Sequence, residues 1–334
     1  MGTSTRDFFR QAGMPASDLT SLPSSDKRFP DGAQYRIEIP STEGPECLEA
    51  VLDEAEQRGV LVHRVSQGSG VMLQTDDELA AMARKARAAQ IEVSLATRPN
   101  AAWGTSAMAR SSAGAAVGAS ARGMDEVGYQ LEDARRAAAH GIRSVLITDI
   151  GTLAAFGQMR RAGFLPASMQ AKISVLLPLA NPFAARVAVE LGADTLNIPT
   201  DLTLPQIAAI RAAVDIPLDI YVESASEFGG FIRSYEVPEL IRIASPVYLK
   251  FGIRNAPDVY PSGLHVQATA VLLSRERVRR AQIVLELIAR QSPAATMSKA
   301  GGAGGLALIE APNAIWLASE QAKEVQPLRV GGGA

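Results

Sequence analysis

Cysteine and histidine are scarce in this chain of 334 residues, and their scarcity excludes several kinds of site. The single cysteine, Cys47, cannot form a disulfide within the chain, a four-thiolate iron–sulfur cluster or a cysteine-based zinc site. Three histidines leave little room for a histidine-rich metal centre. We therefore expect no iron–sulfur cluster, whereas a divalent metal ion held mainly by oxygen ligands stays open.

The chain also lacks an excess of positive charge and long apolar runs. Its 33 Lys and Arg residues face 35 Asp and Glu residues, so nothing would attract nucleic acid or an anionic lipid surface. The longest apolar runs, such as 174–180, are far shorter than the ~20 residues of a membrane span. Residues 1–30 are polar and contain no apolar stretch typical of a secretion signal. These features predict a soluble, cytoplasmic protein that binds neither nucleic acid nor membranes.

Short apolar runs alternate with amphipathic segments along most of the chain. Runs rich in Val, Ile and Leu predict eight parallel strands, at 35–40, 60–65, 91–97, 142–149, 171–179, 193–199, 216–223 and 246–253. The amphipathic segments predict helices at 45–58, 75–90, 124–140, 184–191, 204–214, 237–244 and 274–291. Thr75 opens a capping box at the start of the second helix, and Gly141 follows the end of the third.

The number and spacing of these units predict the fold. Eight strand–helix units in about 260 residues match a (β/α)8 TIM barrel. A doubly wound sheet would have a glycine-rich turn after its first strand, and the letters STEG at 41–44 do not supply one. We predict an α/β protein with a (β/α)8 barrel at 31–291, a polar N-terminal extension at 1–30 and a flexible, Gly/Ala-rich C-terminal tail at 292–334.

Two segments outside the repeat are rich in small residues. Residues 100–122 follow the third strand, at the end of a barrel where active sites form, so they predict either a lid or a surface decoration. The letters GGAGG at 301–305 are typical of a flexible linker, and residues 306–323 beyond them are mildly amphipathic. Such a tail would pack on its own subunit or a neighbouring copy, or recruit another protein.

Alternation of side chains along the strands predicts a polar barrel interior, because the apolar set of each strand must face the helices. Buried charges must pair, bind a ligand or contact trapped water. Residues near strand starts predict a stabilising ion-pair layer at the barrel bottom: Arg36, Glu92, Lys172 and Asp219. Residues nearer the strand ends are candidates for function: Glu38, Arg98, Asn197, Tyr221, Glu223, Lys250 and Arg254.

Four of these residues are candidate catalytic groups. Glu38 and Glu223 lie on strands one and seven, which only strand eight separates, so they form a candidate acid/base pair. Tyr221 and Lys250 are candidate stabilisers of developing charge. Lys250 could instead attack a carbonyl substrate and form an imine, or simply make an ion pair.

The remaining candidates would bind substrate. Arg98 and Arg254 are a candidate clamp for a carboxylate or phosphate, because a guanidinium offers two parallel donors. Asn197 at the end of strand six is a further candidate. His265 lies in a Pro-bearing loop after strand eight, which suits a positioned group and equally suits a cap on the next helix.

A metal site is the least supported prediction. Glu38, His63 and Glu223 could hold one divalent ion through oxygen and nitrogen ligands, but no fixed spacing supports that set. The sequence does not determine whether His63 points into or out of the barrel, because both alternating sets of side chains on strand two contain a polar residue.

Several motifs in the middle of the chain occur in a familiar order. They are EDARRAAAHG at 132–141, TDIG at 148–151, NPFAAR at 181–186, ELGADTL at 190–196, LTLPQIAAIR at 202–211 and IPLDIYV at 216–222. Over about residues 120–225 this order resembles the U32 peptidase-like (collagenase-like) family. The resemblance implies an aldolase-type barrel and a divergent member. Where the family has a His-Gly-Ala-x-Cys segment and a cysteine quartet, this chain has VESAS at 222–226, which excludes the family's iron–sulfur-dependent hydroxylation.

Three functions follow as hypotheses. The first is a divergent U32-like hydrolase that uses acid/base chemistry on a small acidic or peptide-like substrate. The second is an aldolase-like lyase or isomerase in which Lys250 forms an imine. The third is a non-catalytic scaffold or assembly protein that acts through its C-terminal tail. A homo-oligomer is compatible with each.

Overall fold

The computed structural model describes residues 4–19, 21–104, 107–111, 114 and 117–312, and it confirms the predicted barrel. Eight parallel strands pair in sequence order, and the last closes onto the first. The strands are β1 (Tyr35–Pro40), β2 (Arg64–Gln67), β3 (Glu92–Ala96), β4 (Ser144–Ile147), β5 (Gln170–Ile173), β6 (Thr195–Asn197), β7 (Leu218–Glu223) and β8 (Val247–Phe251). The helices are α1 (Thr5–Gln11), α2 (Pro45–Arg58), α3 (Asp76–Ala89), α4 (Gly123–Ala139), α5 (Ile150–Arg161), α6 (Pro182–Leu191), α7 (Leu204–Ala213), α8 (Val237–Ala244) and α9 (Gln267–Gln291).

Strand register brings polar side chains together inside the barrel. Glu38 on β1 is the register partner of Arg64 on β2 and of Lys250 on β8. Side chains of a strand alternate between faces, so the neighbouring Ile37 and Ile39 face the other way. Both isoleucines are fully buried in the apolar layer between sheet and helices. The apolar core therefore surrounds the sheet, and the interior of the ring is left to polar groups.

Several elements differ from the sequence prediction. Strand β2 starts at Arg64, four residues later than predicted, and ends at Gln67, so Ser66 and Gln67 also belong to the sheet. Helix α5 was not predicted, because its glycines weaken the helical pattern and its capping residue, Asp149, was assigned to a strand. The Asp149 carboxylate accepts the Thr152 N–H at 2.8 Å. Gly157 is needed for packing, because a Cβ there would lie 2.2 Å from the Leu191 carbonyl oxygen of α6.

Helix α9 is longer than predicted, since it begins at Gln267 and not at residue 274. Its first two turns carry the exposed Leu272, which hides the amphipathic pattern there. In the described part of the chain, no helix has the length and apolar character to cross a membrane.

The barrel bottom is closed by the segment 297–309, which the composition predicts to be a flexible linker. The Arg36 guanidinium, at the start of β1, donates to the carbonyls of Gly302, Gly304 and Gly305 at 3.0, 2.9 and 3.0 Å. It also donates to Ser298 Oγ at 2.9 Å. Gly302 has a positive φ of 59°, and a Cβ there would lie 2.8 Å from the guanidinium. The buried cation thus fixes the glycine turn; residues 313–334 lie outside the described residues.

The polar N-terminal extension covers the same end of the barrel. The Phe29 ring packs edge-on against Tyr248 at 5.3 Å and under the Arg36 guanidinium at 4.0 Å. Farther along the surface, the Phe9 ring of α1 contacts Phe183 of α6 at 5.7 Å. These aromatic contacts attach the extension to the barrel.

We predict that Arg36→Met lowers the free energy of unfolding by about 3 kcal/mol, because several buried carbonyls lose a charged donor. Urea denaturation would measure the loss, and cleavage within 297–309 should accelerate in limited proteolysis. The matched control is Arg84→Met, at an exposed arginine, with an expected change below about 0.5 kcal/mol. Equal stability of the two variants would contradict the role of Arg36.

Candidate active site

A carboxylate contacted by three cations lies at the centre of the barrel. Glu38 is fully buried, and its Oε2 accepts from Arg64 Nε at 2.7 Å and from Lys172 Nζ at 3.1 Å. Its Oε1 accepts from Ser66 Oγ at 2.7 Å and lies 3.3 Å from Lys250 Nζ. Each cation comes from a different strand, so the charge of Glu38 connects β1 to β2, β5 and β8.

Asp219 supplies the second negative charge of this layer. It contacts Lys172 Nζ at 2.5 Å and forms an ion pair with Arg64 Nη2 at 2.5 Å. Glu38 and Asp219 therefore balance the charges of Arg64 and Lys172. Glu92 lies lower, 3.7 Å from Arg64 Nη1, and its Oε2 accepts the Ala307 N–H of the closing segment at 3.2 Å.

The layer determines the protonation of its members. Burial alone would raise the pKa of the Glu38 carboxyl, but Arg64, Lys172 and Lys250 hold this pKa well below its usual value. Burial, reinforced by the charge of Arg64, lowers the pKa of the Lys172 ammonium to about 8. Glu38 is thus a permanent counter-ion at neutral pH. This low pKa does not suit the acid half of the acid/base role predicted for the pair of Glu38 and Glu223.

Lys250 connects this ionic layer to the cavity above it. Only about 2% of its side chain is exposed, and Nζ lies 4.4 Å from the centroid of the Tyr221 ring. With the amide of Asn197 oriented toward it, the amide oxygen accepts from Nζ at 2.8 Å, and the amide nitrogen donates to the Asp219 carbonyl at 3.2 Å. Burial raises the pKa of Tyr221, so its hydroxyl stays protonated. Lys250, Tyr221 and Asn197 are therefore brought together as predicted, whereas their roles stay predictions.

A cavity of about 370 Å³ opens above Lys250 at the carboxyl ends of the strands. That volume suits a small organic molecule. Aromatic side chains make up much of its wall: Trp103, Tyr221, Phe228 and Tyr260. Small and aliphatic residues form other parts of the wall, and polar side chains from several strands and loops also line it: Ser41, Ser66, Gln67, Arg98, Asn100, Ser174, Asn197, Glu227 and Lys250.

Arg98 lines the cavity, but the protein itself engages its guanidinium. Nε and Nη2 donate to the Gly68 carbonyl at 3.1 and 2.8 Å, and the guanidinium lies 4.7 Å from the Trp103 ring centroid. The Arg98 backbone N–H donates to Asp133 Oδ2 at 3.0 Å. Arg98 therefore connects two loops at the rim of the cavity. These contacts occupy some of its guanidinium N–H groups and leave fewer of them for a ligand.

Glu223 faces away from the barrel interior. The register of β7 against β8 shifts between Tyr221 and Glu223, so Tyr221 is opposite Lys250 while Glu223 is opposite Phe251. One Glu223 oxygen accepts the Arg254 N–H at 2.9 Å, and the other lies 3.6 Å from Arg280 Nε on α9. Strict alternation of side chains along the strand predicts that Glu223 points into the barrel. The register irregularity turns its side chain to the outer side of the sheet. The structure therefore does not bring Glu38 and Glu223 together.

The other predicted ligands lie apart from the cavity. Arg254 and His265 are exposed and do not line it, so the structure does not form the predicted clamp of Arg98 with Arg254. His63 lies at the barrel bottom, where Nε2 donates to the Ser298 carbonyl at 2.8 Å and Nδ1 accepts the Ile37 N–H at 3.1 Å. Burial lowers the pKa of His63 to about 4, which keeps the ring neutral.

These placements also correct the predicted metal set. Glu38 lies in the ionic layer, His63 at the bottom and Glu223 outside the ring. Across the described ranges, no three His, Cys, Asp or Glu side chains form a group that could hold a metal ion.

Sequence reasoning missed two kinds of residue. Ser66 was missed because the predicted strand ended at residue 65. Arg64 lay inside that strand, but its inward direction was not identified; the alternation of Arg64 and Ser66 with Val65 was the available signal. Trp103 and Tyr260 lie in long loops, where alternation has no meaning. Tyr260 donates its hydroxyl hydrogen to Ser41 Oγ, and nothing in the local sequence indicates this contact across 219 positions.

Comparison with known proteins does not identify a family. No protein-family model matches the chain, and no curated protein is similar to it in sequence. A U32 peptidase structure is 11% identical, with a TM-score of 0.40 over 72% of this chain and 98% of its own. A truncated 3-deoxy-D-arabino-heptulosonate 7-phosphate synthase from Thermotoga maritima is 13% identical, with a TM-score of 0.45 over 84% and 94%.

A third structure, of a protein from Coccidioides immitis proposed to be a fructose-1,6-bisphosphate aldolase, is 13% identical, with a TM-score of 0.46 over 78% of this chain and 92% of its own. These likenesses are weak, and the closed eight-stranded sheet itself establishes the fold. The resemblance to the U32 family stays a prediction.

We predict that Glu38→Gln destabilises the protein far more than Glu223→Gln. The first change leaves three buried cations with one fewer counter-ion and should cost about 3–5 kcal/mol. The second retains an acceptor for the Arg254 N–H and weakens only a long pair of 3.6 Å with Arg280, whose side chain is 39% exposed, so it should cost less than about 1 kcal/mol. Urea denaturation of both variants checks this, and equal losses would contradict the central position of Glu38.

Asp133 should make stability pH-dependent. Burial raises the pKa of its carboxyl to about 7, against 3.8 for an exposed one. Between these values the folded chain binds a proton that the unfolded chain does not, so the free energy of unfolding falls as pH rises from 4 to 7.

Asp133→Asn removes this titration and keeps an oxygen for the N–H groups of Arg98 and Met72. The difference in the free energy of unfolding between the variant and the unsubstituted protein should shift in favour of the variant by about 2 kcal/mol as pH rises from 5 to 7. Urea denaturation across this range measures the gain. Parallel pH profiles of the two proteins would contradict the assignment.

Proposed function

We propose that the protein is a lyase or isomerase for small carbonyl compounds, in which Lys250 forms an imine with the substrate. The observation that carries the proposal is the position of Lys250 Nζ at the base of the cavity, fixed by Asn197, Glu38 and the Tyr221 ring. A primary amine held at the base of a cavity of this size is the arrangement that imine chemistry needs.

The charges beneath Lys250 support this role. Glu38 and Asp219 balance the charges of Arg64 and Lys172, so these two carboxylates do not require Lys250 as a counter-ion. After attack on the substrate the nitrogen becomes positive again as a protonated imine. The Glu38 carboxylate and the face of Tyr221 then stabilise that cation.

In the proposed step, the neutral amine attacks the carbonyl carbon. The carbonyl oxygen takes up one proton from the attacking nitrogen and one from solvent and leaves as water, which gives a protonated imine. When a carbon–carbon bond of the adjacent carbon breaks, its electron pair moves into the imine and forms an enamine, and the other fragment leaves as an aldehyde or ketone while its hydroxyl group gives a proton to solvent. When a carbon–hydrogen bond of that carbon breaks, the same enamine forms and the proton passes to solvent. Either a carbon–carbon or a carbon–hydrogen bond can break in this way, so the same intermediate serves a lyase and an isomerase.

The other two hypotheses have less support from the geometry. Neither carboxylate of the acid/base hydrolase lines the cavity, because Glu38 is a bound counter-ion and Glu223 faces α9. The scaffold hypothesis depends on a tail that, up to residue 312, contacts the barrel bottom. A cavity with a buried amine favours an enzyme over a scaffold.

Reductive trapping tests the proposal. The protein is incubated with hydroxyacetone or 2-butanone and cyanoborohydride, and adducts are measured by intact mass and peptide mapping. We expect one adduct per chain at Lys250 with either ketone, because reduction converts the imine into a stable secondary amine.

Two variants provide the comparison. Lys250→Arg keeps a cation beside Glu38 but lacks a nucleophilic primary amine, and it should lose the adduct. Lys85→Arg changes a lysine of α3 that pairs with Glu49 on the surface, and its adduct should be unaltered. Labelling spread evenly over the lysines, or unchanged in Lys250→Arg, would overturn the proposal.

A further inference from the structure

Arg98 is a buried cation with unused hydrogen-bond donors. The residue is only 8% exposed, and its stem packs so closely on Gly70 that a Cβ there would collide with Arg98 Cγ. Nε and Nη2 donate to a single acceptor, the Gly68 carbonyl, while Nη1 donates to no group in the described part of the chain. By contrast, the buried guanidinium of Arg36 donates five hydrogen bonds. Arg98 therefore keeps donors that a buried group normally uses.

These donors lie at the end of the guanidinium that the protein leaves open. The Gly68 carbonyl takes the edge formed by Nε and Nη2, and Trp103 covers one face. Nη1 keeps accessible surface, unlike the buried polar atoms elsewhere in the fold that lack a partner. Because Arg98 lines the cavity, a ligand there can reach Nη1. The second N–H of Nη2 runs parallel to one N–H of Nη1, so this end offers two parallel donors.

The charge of Arg98 is also poorly balanced by the protein. It forms no ion pair with a carboxylate among the described residues, and the carboxyls that act on its charge are those of Glu43 and Asp133. Each of these accepts two backbone N–H groups. Burial raises the pKa of both carboxyls, to about 7 for Asp133, which weakens their negative charge. A buried cation without a full counter-charge favours an anionic partner.

The rest of the cavity wall agrees with this charge. Lys250 is the second cation of the lining, and Glu227, an exposed residue, is the acidic group among the described lining residues. Burial and the neighbouring Asp258 raise the pKa of Glu227. An ammonium group on a ligand would therefore be repelled in this cavity, whereas an anionic group would be attracted.

We infer that the free Nη1–Nη2 end of Arg98 is a subsite for a carboxylate group of the substrate. Two parallel N–H groups match the two oxygens of a carboxylate, and the other cation of the wall is already engaged in the proposed imine. The inference rests on the proposed function, which places the carbonyl carbon of the same substrate at Lys250. The substrate class is then an oxo acid small enough for a cavity of about 370 Å³.

Two matched pairs of ketones test this. Pyruvate and levulinate carry a carboxylate directly beside the carbonyl or two carbons beyond it. In 3-methyl-2-butanone and 5-methyl-2-hexanone, an isopropyl group of the same shape replaces that carboxylate. Each compound is trapped with cyanoborohydride, and the ratio of initial rates, acid over neutral ketone, is measured for each pair. Ratios between variants cancel the different intrinsic reactivities of the compounds.

The unsubstituted protein is compared with Arg98→Gln, Arg98→Lys and a control, Arg84→Gln, at an exposed arginine. We expect the ratio of at least one pair to fall about tenfold or more in Arg98→Gln, as befits the loss of charge-assisted hydrogen bonds. The Gln amide can still donate to the Gly68 carbonyl, and a purely structural effect would slow both members of a pair alike. Arg98→Lys keeps the charge without the parallel donors and should give an intermediate ratio. Arg84→Gln should leave both ratios unchanged.

Adducts at Lys250 whose two ratios are unchanged in Arg98→Gln would overturn the carboxylate subsite and leave the imine proposal standing. Should Arg98→Gln fail to fold, Arg98→Lys decides the question. Ratios in Arg98→Lys that equal those of the unsubstituted protein for both pairs would then overturn the subsite.

Failure of the proposed function gives a different result. If no compound forms an adduct, the imine is overturned, and saturation-transfer NMR with pyruvate and levulinate decides the role of Arg98. Transfer to either acid that weakens in Arg98→Gln would support the subsite. No transfer to either acid in the unsubstituted protein, or equal transfer in Arg98→Gln, would overturn it.

Discussion

The shared contact of Glu38 with Arg64, Lys172 and Lys250 is the constraint on which the rest of the structure depends. A buried charge is tolerated only when partners replace its water, and here the partners come from three other strands. Their side chains can meet only if the sheet closes with the observed register. The ionic layer and the closed barrel therefore require one another, and Asp219 makes the layer electrically neutral without Lys250.

This layer also explains why the two ends of the barrel differ. Below it, Arg36 binds backbone carbonyls of the segment 297–309, so the bottom is filled by the chain itself. Above it, Lys250 and Asn197 contact one another, and the space beyond them is open. A cation at the bottom is thus satisfied by the protein, whereas the amine at the top faces a cavity that accommodates a ligand.

The fold follows from sequence patterns, because eight apolar runs at regular spacing require a layer of helices around a closed sheet. The inward direction of the Glu38, Tyr221 and Lys250 side chains follows from the alternation of side chains along a strand, which holds while the strand is regular. Glu223 lies beyond the register irregularity of β7, and alternation fails there. Two features could not be predicted from local patterns: the partners of Arg98, and the closure of the barrel bottom by a glycine-rich segment. Both depend on contacts between positions that are distant in the sequence.

Stability alone does not account for the ionic layer. Apolar side chains fill the interior of most barrels, and replacing buried ion pairs by well-packed apolar residues is often neutral or stabilising. The ions provide fixed charges beneath Lys250. The nearest is a buried carboxylate 3.3 Å from the Lys250 nitrogen, whose position does not depend on solvent. A site that creates and removes positive charge on that nitrogen benefits from such fixed charges, because the surrounding groups do not have to reorganise when the charge changes. The placement of the charges therefore supports the imine chemistry that we propose at Lys250, in addition to holding the strands of the closed sheet together.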